Sequence, residues 1–273
     1  MTFAHGARIA ALLAVVTVAI ASTLPAPAAA QQQGVTVDVL VARIYTEPNP
    51  QPYTMTADFN SEVVLRLPTG IITVRAVGTM VESRTAVGQP RTRKATVTRL
   101  DVPMLLRPFS NSIRKVVTDA IELEQKPNEI LPTQDVFIAE ERGDRYLLGG
   151  VRSDIVSETL TKYNQQALIR DTTARRAIAR WLWSPSQRAG IVRTGPGPYM
   201  IGVLIDESGL IHQLTLYYDW GQVGSRIQFV TVGGRPFWRE VISNTASEVA
   251  GIGHVDGRMT LLVQNHCLNC NRQ

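Results

Sequence analysis

The chain is poor in the residues that usually announce chemistry. It holds four His and two Cys in 273 residues, and aromatic residues make up 6%. Two Cys cannot staple a disulfide-knot scaffold. After residue 31 there is no run of about 18 apolar residues, so no membrane-spanning helix is expected there. No Gly-x-Ser-x-Gly elbow, Walker-type loop, His-Glu-x-x-His or doubled CxxC is present, which removes the common hydrolase, kinase and metalloprotease signatures without excluding an enzyme. Nothing in the residues calls for a cofactor. Lysine is scarce too: 24 of the 28 basic residues are Arg, and the net charge is only +5. That bias permits attraction to an anionic envelope surface or an acidic membrane protein, but falls short of the dense basic stripe that nucleic acid requires. What is there is a 44% apolar complement, enough to bury a core and to exclude disordered and collagen-like classes.

Residues 1–30 read as a secretory signal. Arg8 supplies the positive start, residues 9–21 are uncharged and apolar, and Ala28, Ala29 and Ala30 satisfy the small-residue cleavage rule. The alternative is a membrane anchor, but Ser22, Thr23 and Pro25 interrupt the run, leaving it short of a span of roughly 20 residues. Export with cleavage near Ala30 is therefore expected, to a periplasm or the exterior. It leaves residues 31–273 as one α+β domain of net charge +4, with a helical insertion around residues 110–183.

Residues 35–45 are apolar and β-branched and fit either a strand or a first helix, and the Pro-rich stretch 47–52 forbids regular structure. From Met55 a period of two sets in. Met55, Ala57, Phe59, Ser61, Val63, Leu65 and Leu67 alternate with polar neighbours, which makes one face of a long strand apolar and the other wet. Pro68, Thr69 and Gly70 form a turn. Residues 71–83 return as a second long strand with Ile72, Val74, Ala76, Gly78 and Met80 on one side, and residues 91–102 offer a third. Strands twice the usual length of about 5 to 6 residues must twist and coil. The resulting sheet either curls or is covered.

Candidate covers follow. Ser110 or Ser112 caps a helix with Ile113, Val116, Val117, Ala120 and Ile121 on one stripe, ended by Pro127. A hairpin spans 135–151 about an Arg-Gly-Asp turn at 142–144, read as turn chemistry rather than an adhesion signal. Ser153 caps a helix to about Gln166. Asp171 or Thr172 caps another, with Ala174, Ala177, Ile178, Trp181 and Leu182 on its apolar stripe. Strands then return over 199–205, 210–219, 225–232, 235–243 and 258–265, separated by Gly-bearing turns. The pattern predicts an α+β fold, a long curved antiparallel sheet or half-barrel covered by helices.

Four groups could carry function. Cys267 and Cys270, with His266 beside them, suit a structural disulfide in an oxidising compartment; zinc binding and thiol redox exchange are the alternatives, and haem attachment lacks its following His. His212 shares strand parity with Leu214 and Leu216, as a hydrogen-bonded core residue or a polar fixing point in a ligand cavity. Asp206 and Glu207 are turn residues rather than an acid–base pair. Arg175, Arg176 and Arg180 form a basic helix face that is either solvated or, with Trp183, a partner surface.

The order of elements, with Ala57-Asp-Phe59 on a long strand, Gly78-Thr-Met-Val-Glu-Ser-Arg84 on the next and a basic strand at 91–99, resembles the periplasmic lipoprotein carriers and related lipid-carrying lipoproteins. The resemblance implies an unclosed half-barrel lidded by helices that holds acyl chains between sheet and helices. Small and adaptable residues on the first hairpin suit a ligand cavity, and a filled core would use the same residues. The expectation is a non-enzymatic periplasmic protein that binds a hydrophobic or acylated ligand through Met55, Phe59, Val74, Met80, His212 and Leu214. The alternatives are an envelope interaction module built on Arg175, Arg176, Arg180 and Trp183, and a redox or metal protein built on Cys267 and Cys270.

Overall fold

The computed structural model describes residues 35–46, 51–87, 89, 91–122, 131–188, 191, 197–249 and 253–270. The signal read in residues 1–30 and the helix-ending Pro127 lie outside them. The chain divides into Met1–Thr36 and a body, Val37–Gln273, to which all ten strands belong.

The undecided stretch at 35–45 is a helix, α1 (Val37–Tyr45). Three contacts hold it: Leu40 is fully buried, the Arg43 guanidinium donates to the Glu207 carbonyl at 2.7 Å, and Asp38 pairs with Arg176. The turn that receives Arg43 needs a glycine. Gly209 has φ +88°, and a Cβ there would lie 2.5 Å from the Arg43 backbone.

Strands β1 (Tyr53–Leu67), β2 (Gly70–Arg84) and β3 (Thr92–Asp101) fall where the period of two places them. After a six-residue 3-10 turn, Met104–Phe109, comes α2 (Ser110–Glu122). The hairpin β4 (Gln134–Arg142) and β5 (Arg145–Arg152) leads into α3 (Ser153–Lys162), α4 (Thr172–Trp183) and the single turn α5 (Pro185–Arg188). Asp171 is the cap of α4, accepting from the amides of Thr173 and Ala174 at 2.8 and 3.1 Å. Strands β6 (Met200–Asp206), β7 (Ile211–Tyr218), β8 (Gly221–Val232), β9 (Arg235–Val249) and β10 (Gly253–Leu268) complete the fold.

All ten strands form one antiparallel sheet in the order β3-β2-β1-β10-β9-β8-β7-β6-β5-β4. The last strand returns beside the first, and the sheet is not closed: β3 and β4 stand at its two ends. The fold is α+β, as expected. The β4–β5 hairpin, within the segment read as a helical insertion, extends this same sheet.

Helices cover the two ends of the sheet on opposite faces. α2 lays Val117 and Ile121 against Val97, Ala76, Met80, Met55 and Phe59 of β1–β3. α3 and α4 lay Ile155, Val156, Leu160, Ala179 and Leu182 against Phe137, Val151 and Met200 of β4–β6. Following the register from Val97 across to β6 places Val203 and Ile201 on the α2 side, so Met200, Phe137 and Val151 face the other way. The sequence pattern had offered all three helices as lids for one greasy face; only α2 meets that reading. The reason lies in β6, where every residue from Met200 to Ile205 is buried. A strand that is apolar on both sides needs cover on both sides.

The stripes of two helices are also rotated from those expected. Val116 is 65% exposed and Trp181 38% exposed, whereas Ala179 is fully buried. In α4 the cause is Arg175, which turns toward the sheet and grips Asp135 of β4 through two bonds, 2.9 and 2.6 Å. Its remaining N–H groups donate to Ser157 Oγ and to the carbonyls of Ser153 and Ile169. One guanidinium thus ties α4 to a strand, to α3 and to the connecting turn. Replacing Arg175 by Ala leaves a largely buried carboxylate and several acceptors without donors, and is expected to cost about 3 kcal/mol of unfolding free energy. Urea denaturation of wild type and R175A measures it; a change within about 0.5 kcal/mol, the size of an ordinary surface substitution, contradicts this clamp.

Candidate functional site

The face shared by β1, β2 and β7 carries Met55, Phe59, Val74, Met80 and Leu214, whereas His212 stands at the irregularity in the β6–β7 pairing. On β1 the odd positions Tyr53, Met55, Ala57, Phe59 and Ser61 are buried, and on β2 the even positions from Val74 to Arg84 are buried. The register carries this face across the sheet as a transverse row: Val74 opposite Val63, Val63 opposite Met259, Met259 opposite Ser243, Ser243 opposite Ser225, Ser225 opposite Leu214, and Leu214 opposite Val203. A neighbouring row runs Ile72, Leu65, Gly257, Thr245, Val223, Leu216. Val63, Met259, Leu214, Ile72, Leu65 and Val223 are all half-buried. The two serines interrupt the first row chemically, but their hydroxyls bond each other at 2.9 Å. The strip therefore presents little unsatisfied polarity to an apolar ligand.

The six proposed ligand residues occupy two environments. Met55, Phe59 and Met80 are at most 2% exposed and belong to the core beneath α2. The small residue at Gly78 does not leave room beside them: a Cβ there would sit 2.7 Å from the Phe59 ring and 2.0 Å from the Thr96 carbonyl. Phe59 itself fills that space. Val74 and Leu214 instead stand on the transverse row. His212 lies two residues from Leu214 on β7, far from Val74, with its Nε2 at 2.9 Å from Asp206 Oδ2 and its ring edge-on to Phe229 at 5.7 Å. Asp206 Oδ1 accepts from Ser208 N, Ser208 Oγ and Leu210 N, so the carboxylate organises the β6–β7 turn. Burial pushes the Asp206 carboxyl up, but the Ser208 and His212 bonds and the Leu210 amide outweigh it and hold it below its ordinary value.

The strand expected over 71–83 includes Glu82, but its named face ended at Met80. Glu82 continues the parity of Val74 to Met80 and is 4% exposed. Arg93 of β3 grips it at 2.5 and 3.0 Å, and the Tyr53 hydroxyl donates to its other oxygen at 2.6 Å. The Arg93 guanidinium lies 3.7 Å over the Trp238 ring, and that of Arg235 lies 4.6 Å over Tyr53. A carboxylate directly following an apolar alternation was the available signal. Burial pushes the Glu82 carboxyl up, yet the Arg93 and Arg91 charges together with the Tyr53 hydroxyl prevail and hold it below the usual range.

The residues offered as a partner surface have internal bonds. Arg175 is clamped as described, Arg176 pairs with Asp38, and Arg180 donates to the Ile138 carbonyl at 2.8 Å. Trp183 packs edge-on against Phe137 and Tyr217 and lies over Gly202, where a Cβ would be 3.1 Å from its ring. Arg175, Arg180 and Trp183 fix α4 to the sheet, and Arg176 joins it to α1.

Cys267 and Cys270 are joined as a disulfide with their Cα atoms 5.7 Å apart. Asn269 adopts φ 56° between them, accepts from Thr54 N at 3.0 Å, and gives its own amide to Thr54 O at 2.6 Å. The tight loop thus prolongs the β10–β1 pairing. His266 points elsewhere, with its Nε2 at 2.8 Å from the Trp238 carbonyl.

No family model matches the chain, and no curated protein does. Among solved structures it is similar to an outer membrane lipoprotein-sorting protein domain from Vibrio parahaemolyticus, at 6% identity over 87% of this chain and 94% of that one, with a TM-score of 0.37. It is also similar to a DUF1329 family protein from Desulfovibrio piger ATCC 29098, at 7% identity over 86% and 92% of the two chains, TM-score 0.36. A third similarity is to lipovitellin, at 7% identity over 80% of this chain and 26% of that one, TM-score 0.31.

Two substitutions probe this face. Gly78→Ala forces backbone or the Phe59 ring to move and is expected to destabilise by about 2 to 3 kcal/mol, read by thermal and urea unfolding; a neutral result contradicts the close packing described. Glu82→Gln removes the charge opposite Arg93 and is expected to cost about 3 kcal/mol at neutral pH. Because the folded carboxyl is held below its unfolded value, its stabilisation is complete above about pH 4 to 5 and is lost as pH falls through the folded value. The gap between wild type and E82Q should accordingly be flat from pH 6 to 8 and close under acid. A pH-independent gap contradicts it.

Proposed function

We propose that the protein holds a hydrophobic or acylated ligand against the α2 side of the sheet, as an exported, non-enzymatic binding protein. The observation that supports this most directly is the transverse strip. Apolar side chains from β2, β1, β10, β8 and β7 stand in register, and Val63, Met259 and Leu214 at its middle remain half-buried. A sheet packed only for stability tends to bury such a row beneath its own cover, whereas an extended acyl chain matches a long apolar strip with few polar breaks. Met259, and Met55 and Met80 in the core beside the strip, can adjust to contents of irregular shape. The pattern of residues 1–30 supports export, and Val74 and Leu214, near opposite ends of the strip on β2 and β7, support a ligand contact that runs across it.

Protein purified after overexpression, extracted with organic solvent and analysed by mass spectrometry, is expected to yield lipid in near-stoichiometric amount. Leu214→Glu and Met259→Glu, which place a charge in the strip, should remove that lipid while leaving the unfolding transition cooperative. Lipid-free wild-type protein, or equal lipid in both variants, rejects the reading.

A further inference from the structure

The two most exposed large apolar side chains among the described residues are neighbours, and two more exposed ones follow them in the chain. Met104 is 76% exposed, Leu105 88% and Phe109 59%, all in the 3-10 turn between β3 and α2, and Val116 of α2 follows at 65%. Phe109 and Val116 are seven residues apart, two turns along the same helical run. Side chains exposed to this degree project from the body. They form a convex tip, not a groove into which another chain could seat.

The charge within the tip segment itself is basic, and the nearest acids, Asp101 and Asp119, are paired with Arg99 and Lys115. Residues 102–118 contain Arg107, Arg114 and Lys115 and no Asp or Glu. Lys115 pairs with Asp119 at 2.7 Å, and Arg114 donates to the Val97 carbonyl, anchoring α2. Arg107 is exposed between Leu105 and Phe109. Protruding Met, Leu and Phe around a cation is the composition that partitions into an anionic bilayer interface, which adapts to a convex tip without needing a complementary surface.

We propose that the segment Met104–Phe109, with Val116, docks on an anionic phospholipid membrane. The inference rests on the ligand-binding reading above and gives it a route. α2 is the helix that covers the packed end of the ligand face, so docking through its leading turn brings that face to the bilayer where an apolar ligand is taken up or released. The 3-10 turn is joined to α2 without a break, which couples the tip to the cover.

Flotation of the purified protein with phosphatidylethanolamine–phosphatidylglycerol vesicles, against phosphatidylcholine vesicles, tests this. Wild type should float with the anionic vesicles. Leu105→Asp and Phe109→Asp should each weaken association about tenfold or more, and Arg107→Gln about fivefold, an effect that salt suppresses. Val87→Asp, at a 59% exposed position in the β2–β3 connection at the opposite end of these strands from Met104, should change nothing; circular dichroism of each variant reports folding. The proposal is overturned if wild type does not float, or if all variants float alike, as they would through an intact leader. It is equally overturned if the tip variants lose only a protein captured from solubilised membranes. Lipid content measured on the same preparations separates the two readings: lipid-loaded protein that fails to float rejects docking alone, and lipid-free protein that floats through Leu105 rejects the ligand reading alone.

Discussion

The constraint on which the structure depends is register. Ten strands share one sheet, and side chains alternate across it with a period of two, so a slip of one residue at any pairing would turn the next strands inside out. The pairings nevertheless keep Val97, Ala76, Phe59, Val263 and Val241 on one side of five successive strands. The irregularities at Val77/Gly78 and Gln228/Phe229 fall away from the transverse row through Val74 and Leu214, and the one at Leu204/Ile205 begins just beyond its β6 end. Bulges absorb the strong coiling that strands of 15 residues require without breaking the shared face.

Much of this was legible in the sequence, because alternation is a local signal. The positions of all ten strands, of α2, α3 and α4, and the unclosed antiparallel architecture implied by the resemblance to lipoprotein carriers are found as expected. What periodicity could not supply was the partner across the sheet. Arg175 reads as a solvated cation until Asp135, 40 residues away, is placed opposite it. Gly78 reads as vacant volume until the Phe59 ring is seen to occupy it. Val116 and Trp181 fit their helical stripes by spacing and are exposed because the true contact faces are turned about the axis by Val117, Ile121 and Arg175. Each miss is a long-range contact that overrode a local pattern.

The candidate site divides in the same way. Its composition was visible: five of the six residues expected to meet a ligand share one face, His212 standing at an irregularity beside it. Their division between a filled core and a half-buried strip was not visible, since both environments demand apolar side chains and only packing separates them. Glu82 is the instructive omission. An acid that continues an apolar alternation is costly to bury, and it remains on that face only because Arg93 and Tyr53 compensate it. Wherever a charged residue keeps the parity of a buried strand, a partner on the adjoining strand should be sought before the face is ended.

An unclosed sheet of ten strands must also deal with its two free edges, which would otherwise pair with other chains. Helix residues satisfy both. At β3 the Glu122 carboxylate accepts from Ala95 N at 2.9 Å and Arg114 donates to the Val97 carbonyl, while at β4 Arg180 donates to the Ile138 carbonyl. The helices thus act first on the edges and only second on the faces. This explains how covers on opposite faces suffice for one sheet: α2 belongs to the β3 edge and α4 to the β4 edge, and each packs onto whichever face is apolar there. On the α2 face the middle strands lie far from the β3 edge, and α4 reaches β7 only from the opposite face, where Trp183 packs against Tyr217. A strip left half-buried across them is therefore a consequence of how the edges are protected, and it lies where the apolar face continues beyond the reach of α2.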